Sequence, residues 1–460
     1  MDLSKLDGRQ HTARWLLIVL LVALLVRLGL WTVYPLTLNN DSPTYLQLAK
    51  NILIKGFSTY NATRTPGYPA FLALTGSWTY FAQLLLGLLT TLLFFFIGTK
   101  LSGRAWFGAL AALLHTLNIG QLFFEATLLT ETLTTFLVSA ALAAAIALTV
   151  EKPALRRSLL LAFFAGLAAS LAGMVRPLFA FLPVFLFVFS LLLFNIPIRY
   201  RLAISTASLL PAILIFGWWL NFVNTNFKIL NFDTIGGFRW LNHTGAYFEY
   251  VPDEYAVIRD TYIKYRDAKI LVSGTQTNAV WNAMADLQKN SKMGFYALSR
   301  ALTHISMDLI RAHPDLYLKN VISGWWTFWW AAVYWTETAL TYPALIPVLR
   351  ILIYAERGIL ILANFAFLAV SMVLALWKKA RAVLKPSPFL WLTVVSVWAA
   401  SVAQTLLDHG DNPRYLVPMQ TLVIVMVVWW LYQLISYARA VVPLSARDEN
   451  NRELWKTIRR

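Results

Sequence analysis

The 460-residue chain contains no cysteine. That excludes disulfide staples, thiol nucleophiles and thiolate metal sites, and it leaves the redox compartment unread. Charge is scarce as well. Asp, Glu, Lys and Arg make up 13% of the residues, where a soluble domain carries about 25%. With 58% hydrophobic residues and a mean hydropathy of +0.60, a large soluble core is excluded. Internal repeats and low-complexity linkers are absent, so the chain reads as one membrane domain with a loop region folded onto it.

What is present is a series of apolar runs near 20 residues, the length a helix needs to cross the hydrocarbon core. About ten spans are expected, at roughly 15–36, 79–99, 105–118, 128–149, 158–174, 177–194, 202–221, 358–377, 388–407 and 416–437. Leu16–Leu30 follows a basic N-terminus like the core of a signal peptide, but no A-x-A-like site follows it and the run is long enough to span. The fold class expected is an all-α polytopic membrane protein, with outer interfacial helices and one large extracytoplasmic loop.

Lys and Arg placement sets the orientation. With both termini cytoplasmic, the loops and tails on that side collect twenty Lys and Arg against six acids, or +14 of the net charge of +17. The basic balance is thus a topology signal and an attraction to anionic membrane lipid, not a nucleic-acid footprint. The division expected is 1–222, a transmembrane module with a first outer loop at 37–78; 223–343, an extracytoplasmic region; 344–440, interfacial and transmembrane helices; and a cytoplasmic tail at 441–460. The home expected is an inner (plasma) membrane of bacterial type. "GWWTFWWAAVYW" at the end of the long region predicts an interfacial helix, and Ala344–Tyr354 a second.

The stretch "NNDSPTYLQLAKNILIKGFSTYNATRTPGYPAF" carries the first chemistry. Asp41 lies just beyond the first span. It is placed to cap a helix with Pro43 in its first turn, and a carboxylate at a partly desolvated boundary can have its pKa raised toward working pH and act as a general base. Tyr45, Leu46, Leu48, Ala49, Ile52 and Leu53 give that helix an amphipathic, interfacial character. In "TRTPGYPAF", Pro66 and Pro69 fix φ, Gly67 suits a tight turn, and Arg64 beside a carboxylate suits a phosphate.

Glu125 and Glu131 flank the outer start of the fourth span, where a carboxylate must be paired or functional. Arg176, in "GMVRPLF", is a candidate partner for Glu131 or for an anionic ligand. Arg414, in "DHGDNPRYLVP", is a second candidate phosphate clamp. Arg27, inside the first span, must face the bundle or snorkel. Asp408, His409 and Asp411 could form a metal cluster, though their spacing is loose and they offer one imidazole, and the other histidines, His243 among them, show no ligand spacing. Asn61 and Asn242 fit a glycosylation pattern that is common by chance.

In order and side these motifs resemble the C-type glycosyltransferases, in the branch of the dolichyl-phosphate-mannose–protein mannosyltransferases and the aminoarabinose–lipid A transferase. The match runs through "NNDSPTYLQLAKNI", "TRTPGYPAFLAL", "LLTETL", "VRP" and "NPRYLVP", and its specificity lies mostly in the first 75 residues or so. The resemblance implies an inverting glycosyltransferase that takes a sugar from a polyprenyl-phosphate donor and gives it to a lipid, protein or polysaccharide acceptor on the outer face. It implies Asp41 as the base. Arg64, Arg176 and Arg414 would steady the leaving phosphate, Glu131 would be the second acidic position, and Tyr45 and Tyr68 would line the sugar. Many members carry adjacent acids where this chain has Asn39 and Asn40, which weakens the case for a metal there. No cofactor is implied with certainty, and a divalent cation is left open. A transporter or flippase would instead show related halves and charged mid-membrane helices, and a non-catalytic scaffold of a glycan-assembly complex would be expected to lose Asp41.

Overall fold

A computed structural model of the chain describes residues 3–150, 154–193, 196–331, 333–408 and 413–441. The expected tail lies outside these residues beyond its first position, as do His409, Asp411, Glu151 and Lys152. Among the described residues every regular element is helical, and the only pairing of extended backbone is an isolated bridge between Thr37 and Thr127.

The helices are α1 (Leu3–Val33), α2 (Ser42–Lys55), α3 (Gly67–Thr75), α4 (Thr79–Ser102), α5 (Ala105–Thr116), α6 (Ile119–Glu125), α7 (Glu131–Val150), α8 (Leu155–Val175), α9 (Leu182–Leu191) and α10 (Ile198–Phe227). Then come α11 (Gly236–Thr244), α12 (Ala256–Ser273), α13 (Ala279–Ser291), α14 (Phe295–Ala312), α15 (Pro314–Phe328), α16 (Ile346–Leu376), α17 (Lys378–Leu384), α18 (Pro388–Leu407) and α19 (Val417–Val441). Eight stretches are long and apolar enough to cross a membrane: Gln10–Val33, Gly67–Ser102, Glu131–Thr149, Leu155–Val175, Ile198–Phe227, Pro343–Leu376, Pro388–Leu407 and Pro413–Arg439. The other two expected spans are irregular. α5 and α6 meet at a 61° bend, where Asn118 leaves the helix and caps α6 by accepting the Gln121 amide at 2.7 Å. Pro177–Leu191 is a short 3₁₀ turn running into α9.

Two expectations about the interface are corrected. The aromatic run is helical only through Phe328, at the end of α15. It then continues as an irregular strap, tied down where the Thr336 amide donates to the Tyr34 hydroxyl (2.7 Å) and the Thr341 amide to the Val33 carbonyl (3.0 Å). Ala344–Tyr354 is not a separate interfacial helix. No further proline follows Pro347 within it, and α16 runs unbroken through Gly358 for 31 residues, about 46 Å at 1.5 Å per residue. That exceeds the roughly 30 Å hydrocarbon core, and the excess turns stand beyond it.

Small residues set the core. Ala141 and Ala145 of α7 and Ala165 and Ala169 of α8 are buried and let backbones approach, as lipid-embedded helices require when no water drives them together. The region between α10 and α16 has its own apolar centre, built from Phe238, Leu241, Phe248, Tyr262, Leu298 and Leu302. It is fastened to the bundle at one end. The Thr234 amide donates to the Ala62 carbonyl (2.9 Å), and the Tyr317 hydroxyl to the Leu406 carbonyl (2.7 Å).

Candidate active site

At that end of the bundle the chain leaving α1 is clasped to the chain entering α7. The Thr37 amide donates to the Ala126 carbonyl (2.8 Å), the Leu128 amide to the Thr37 carbonyl (2.9 Å), and the Ser42 hydroxyl to the Leu128 carbonyl (2.8 Å). Asp41 follows Thr37 closely and Glu131 follows Leu128 closely. The clasp therefore brings two carboxylates, distant in sequence, to one place.

Asp41 stands at the N-cap position of α2, with Pro43 in the first turn, but its side chain caps nothing. Its Oδ1 accepts from Arg64 Nη2 (3.0 Å) and its Oδ2 from Arg414 Nη2 (2.8 Å). Charge-assisted bonds to two guanidiniums are stronger than a bond to a backbone amide, and they claim the carboxylate. Burial alone would raise the Asp41 pKa; the two arginines outweigh it and hold it at about 2. The expected raised pKa is thus overturned: held between two arginines, Asp41 is an ionised, weak base.

Arg64 is positioned by the rigid loop before α3. Its carbonyl accepts from the Tyr60 hydroxyl (3.0 Å), and its Nη1 donates to the Thr63 carbonyl (3.1 Å). Gly67 serves a different purpose from the tight turn expected. It opens α3, and a Cβ there would sit 2.5 Å from the Met174 carbonyl oxygen, so glycine permits a close backbone approach to the end of α8. That approach brings Arg64 and Arg176 to the same mouth.

Arg176 Nη2 lies 3.1 Å from Glu131 Oε1, and Arg414 Nε lies 3.7 Å from the same oxygen. Five of the seven residues read from the sequence (Asp41, Arg64, Glu131, Arg176 and Arg414) therefore form one linked array. Tyr45 and Tyr68 line it from beneath. The Tyr45 ring faces the Arg64 guanidinium (5.9 Å) and meets Tyr68 edge-on (5.1 Å). The Tyr68 hydroxyl donates to Gln83 Oε1 (2.8 Å), while Gln83 Nε2 donates to the carbonyls of Glu125 (2.9 Å) and Thr127 (3.0 Å). Glu125 itself is not in the array. It is fully buried and pairs with Arg27 at 2.7 Å, so Arg27 faces the bundle rather than snorkelling.

Sequence reasoning missed two contributors, Tyr415 and Arg239. Tyr415 presents its ring to Arg176 (4.4 Å) and Arg414 (5.7 Å), aligning both by cation–π attraction. Its signal was an aromatic directly after a boundary arginine. Arg239 of α11, ion-paired to Asp233 at 2.7 Å, brings a fourth guanidinium within electrostatic range of Arg64 and Tyr415. Asp408 accepts from Asn242 Nδ2 (2.7 Å), which buries Asn242 and closes it to glycan attachment in the folded chain.

Two buried donors, Arg176 Nη1 and Arg414 Nε, make no hydrogen bond among the described residues. Unsatisfied buried guanidinium N–H groups suit an incoming anion. They do not suit a divalent cation. Asp41 and Glu131 are both taken up by arginine, and a metal ion between them would meet three fixed positive charges. No group of three His, Asp or Glu suited to a metal occurs among the described residues.

No protein-family model matches this chain, and no curated protein does. Among solved structures it is similar to the archaeal oligosaccharyltransferase AglB from Archaeoglobus fulgidus, in complex with an inhibitory peptide and a dolichol-phosphate. The TM-score is 0.50 at 13% identity, covering 94% of this chain and 52% of that one. The chain thus spans about half the length of AglB. It is also similar to ArnT from Cupriavidus metallidurans bound to undecaprenyl phosphate, with a TM-score of 0.39 at 15% identity over 89% of this chain and 77% of that one. At such identity the likeness to AglB shows the fold alone, a polytopic helical architecture.

Proposed function

We propose that the chain is an inverting glycosyltransferase that uses a sugar linked to polyprenyl phosphate and works at the end of the bundle that carries the long loop region, on the extracytoplasmic side. The observation that carries this reading is the Asp41 carboxylate held between Arg64 and Arg414, with the Glu131–Arg176 pair behind it. The names of AglB and ArnT, both solved with a polyprenyl phosphate, support the same donor class. The protein mannosyltransferase and lipid A transferase branch, and the choice among lipid, protein and polysaccharide acceptors, belong to the proposal as well.

The chemistry follows from the charges. An acceptor hydroxyl attacks the anomeric carbon from the face opposite the phosphate, and its proton passes to Asp41. The bond from that carbon to the phosphate oxygen breaks, and polyprenyl phosphate leaves with one more negative charge than it carried in the donor. No strong acid is needed for such a leaving group; fixed guanidiniums that meet the developing charge are. Arg64 and Arg414 have two tasks in this scheme. In the free site they neutralise Asp41. When the donor phosphate draws them away, the Asp41 pKa climbs from about 2, and the carboxylate becomes a better base at the moment the donor is present.

The test is transfer of labelled sugar from polyprenyl-phosphate donors by purified protein in lipid vesicles, wild type beside Asp41→Asn. The expected loss is about 10²–10⁴-fold, the range of a missing general base. Equal turnover by a folded Asp41→Asn protein removes Asp41 from the role of base and points to Glu131. No donor consumed by wild type across the common sugars sinks the transferase reading.

A further inference from the structure

A second polar opening lies on the flank of the bundle, away from the arginine array. It is a recess of about 150 Å³ between the strap and α16, lined by Trp335, Glu337, Arg350, Ile353, Tyr354 and Arg357. Its floor is fixed, because Trp335 stacks on Phe123 (5.6 Å) and the next amide donates to Tyr34. The surrounding face of α16 is apolar and exposed: Val348, Ile351, Leu352, Ile359 and Leu362. On a bundle of membrane-spanning helices such a face meets lipid.

Depth follows from charge. The sequence from Gly358 to Trp377 carries no charged residue and is bracketed by Arg357 and Lys378. That run is about 20 residues, or roughly 30 Å of helix, which matches the hydrocarbon core. Arg357 therefore sits at the headgroup boundary. Both oxygens of Glu337 are taken up by Arg350, whereas Arg357 is exposed and has no partner among the described residues. The recess has a net charge of +1, the complement of a phosphodiester monoanion.

A separate crevice of about 10 Å³ is lined by Asn118, Gly120, Gln121, Leu360, Pro413 and Gln420, from α16 and the starts of α6 and α19. Pro413 adjoins Arg414. Gln121 accepts from the Thr135 hydroxyl (3.4 Å), whose main partner is the Glu131 carbonyl (2.8 Å).

We infer that the recess is a docking site for the phosphate head of the lipid-linked donor, held by Arg357 before it reaches the arginine array. This rests on the proposed use of a polyprenyl-phosphate donor. The probe is a polyprenyl phosphate with a photoreactive group beside the phosphate, applied to the protein in neutral phosphatidylcholine vesicles, with labelled positions mapped by mass spectrometry. Wild type is expected to carry label at 333–337 and 350–357. Arg357→Gln should lower that label about tenfold, the loss of one charge-assisted contact, and Arg357→Lys should keep most of it. Arg414→Ala should keep the recess label and lose label near residues 41–64. Label near the array with none in the recess, or recess label indifferent to Arg357→Gln, overturns this inference and leaves the proposed function standing. Equal displacement of the recess label by phosphatidylglycerol assigns the recess to bulk anionic lipid and overturns the donor assignment. Absence of label at both places from a folded protein removes both readings.

Discussion

Two sets of opposite charges lie in this bundle, and they are built differently. The inner one is a single closed pair. Arg27 and Glu125 meet at 2.7 Å with neither side chain more than 4% exposed, and Arg27 Nε and Glu125 Oε2 have no further partner. The outer one is open and shared. Asp41 divides itself between two arginines, Arg414 divides itself between two carboxylates, and Asp41 keeps a quarter of its side chain exposed. A buried pair that excludes everything else can only join helices. An array with spare donors, partial exposure and exchangeable partners can accept a charged guest. The charge is similar in the two places; connectivity and access separate structure from chemistry.

The largest expected effect tests the inner pair. Glu125→Ala leaves Arg27 charged and alone in the bundle and should cost about 3–5 kcal/mol of stability, seen as a large drop in melting temperature in detergent. Gly87→Ala should be similarly harmful, because a Cβ would lie 2.2 Å from the Glu125 carboxylate. Replacing both Arg27 and Glu125 with leucine should restore most of the loss, since an apolar pair of similar volume is often neutral or better. The same double exchange at Glu131 and Arg176 should leave a folded protein without transfer activity. If the inner double variant also abolishes transfer while folding normally, the distinction drawn here fails.

Next in size, Arg414→Ala should lower turnover about 10²–10³-fold, the usual cost of one lost transition-state donor. Arg414→Lys should recover little, because a point charge cannot serve Asp41 and Glu131 together. Smaller is the pH effect. With its pKa held at about 2 against an ordinary 3.8, Asp41 contributes roughly 2 kcal/mol of stability that is fully present above pH 4 and fades as pH falls toward 2. Acid titration of ligand-free wild type beside Asp41→Asn should show two curves converging over that window. A gap that persists below pH 2 refutes the pairing. Smallest is Tyr68→Phe, which leaves Gln83 Oε1 without its donor and should cost about 1 kcal/mol, with donor affinity nearly unchanged.

Much of this was legible because membrane residence leaves coarse marks. Apolar runs of spanning length located the eight helices long enough to cross a membrane, and most of the boundary charges singled out met at the site. What stayed hidden depends on three-dimensional closeness. The bend between α5 and α6 turns on one asparagine cap. Arg239 lies in a charge-balanced region where no boundary singles it out. The lowered pKa of Asp41 could not be read locally, because one of the two arginines responsible is at the far end of the chain. The aromatic strap was misread as helix because tryptophan and tyrosine announce an interface without fixing a backbone.

That distance has a bearing on biogenesis. Asp41 and Arg414 are separated by 373 positions. As the chain is threaded into the bilayer, the aspartate emerges among the first elements, with Arg64 as its only early neighbour. Its second partner arrives with the last described helix. A nascent chain stalled before residue 413 holds half a clamp, so the array closes only once Arg414 has been made, and reactivity becomes a reporter of synthesis beyond that point.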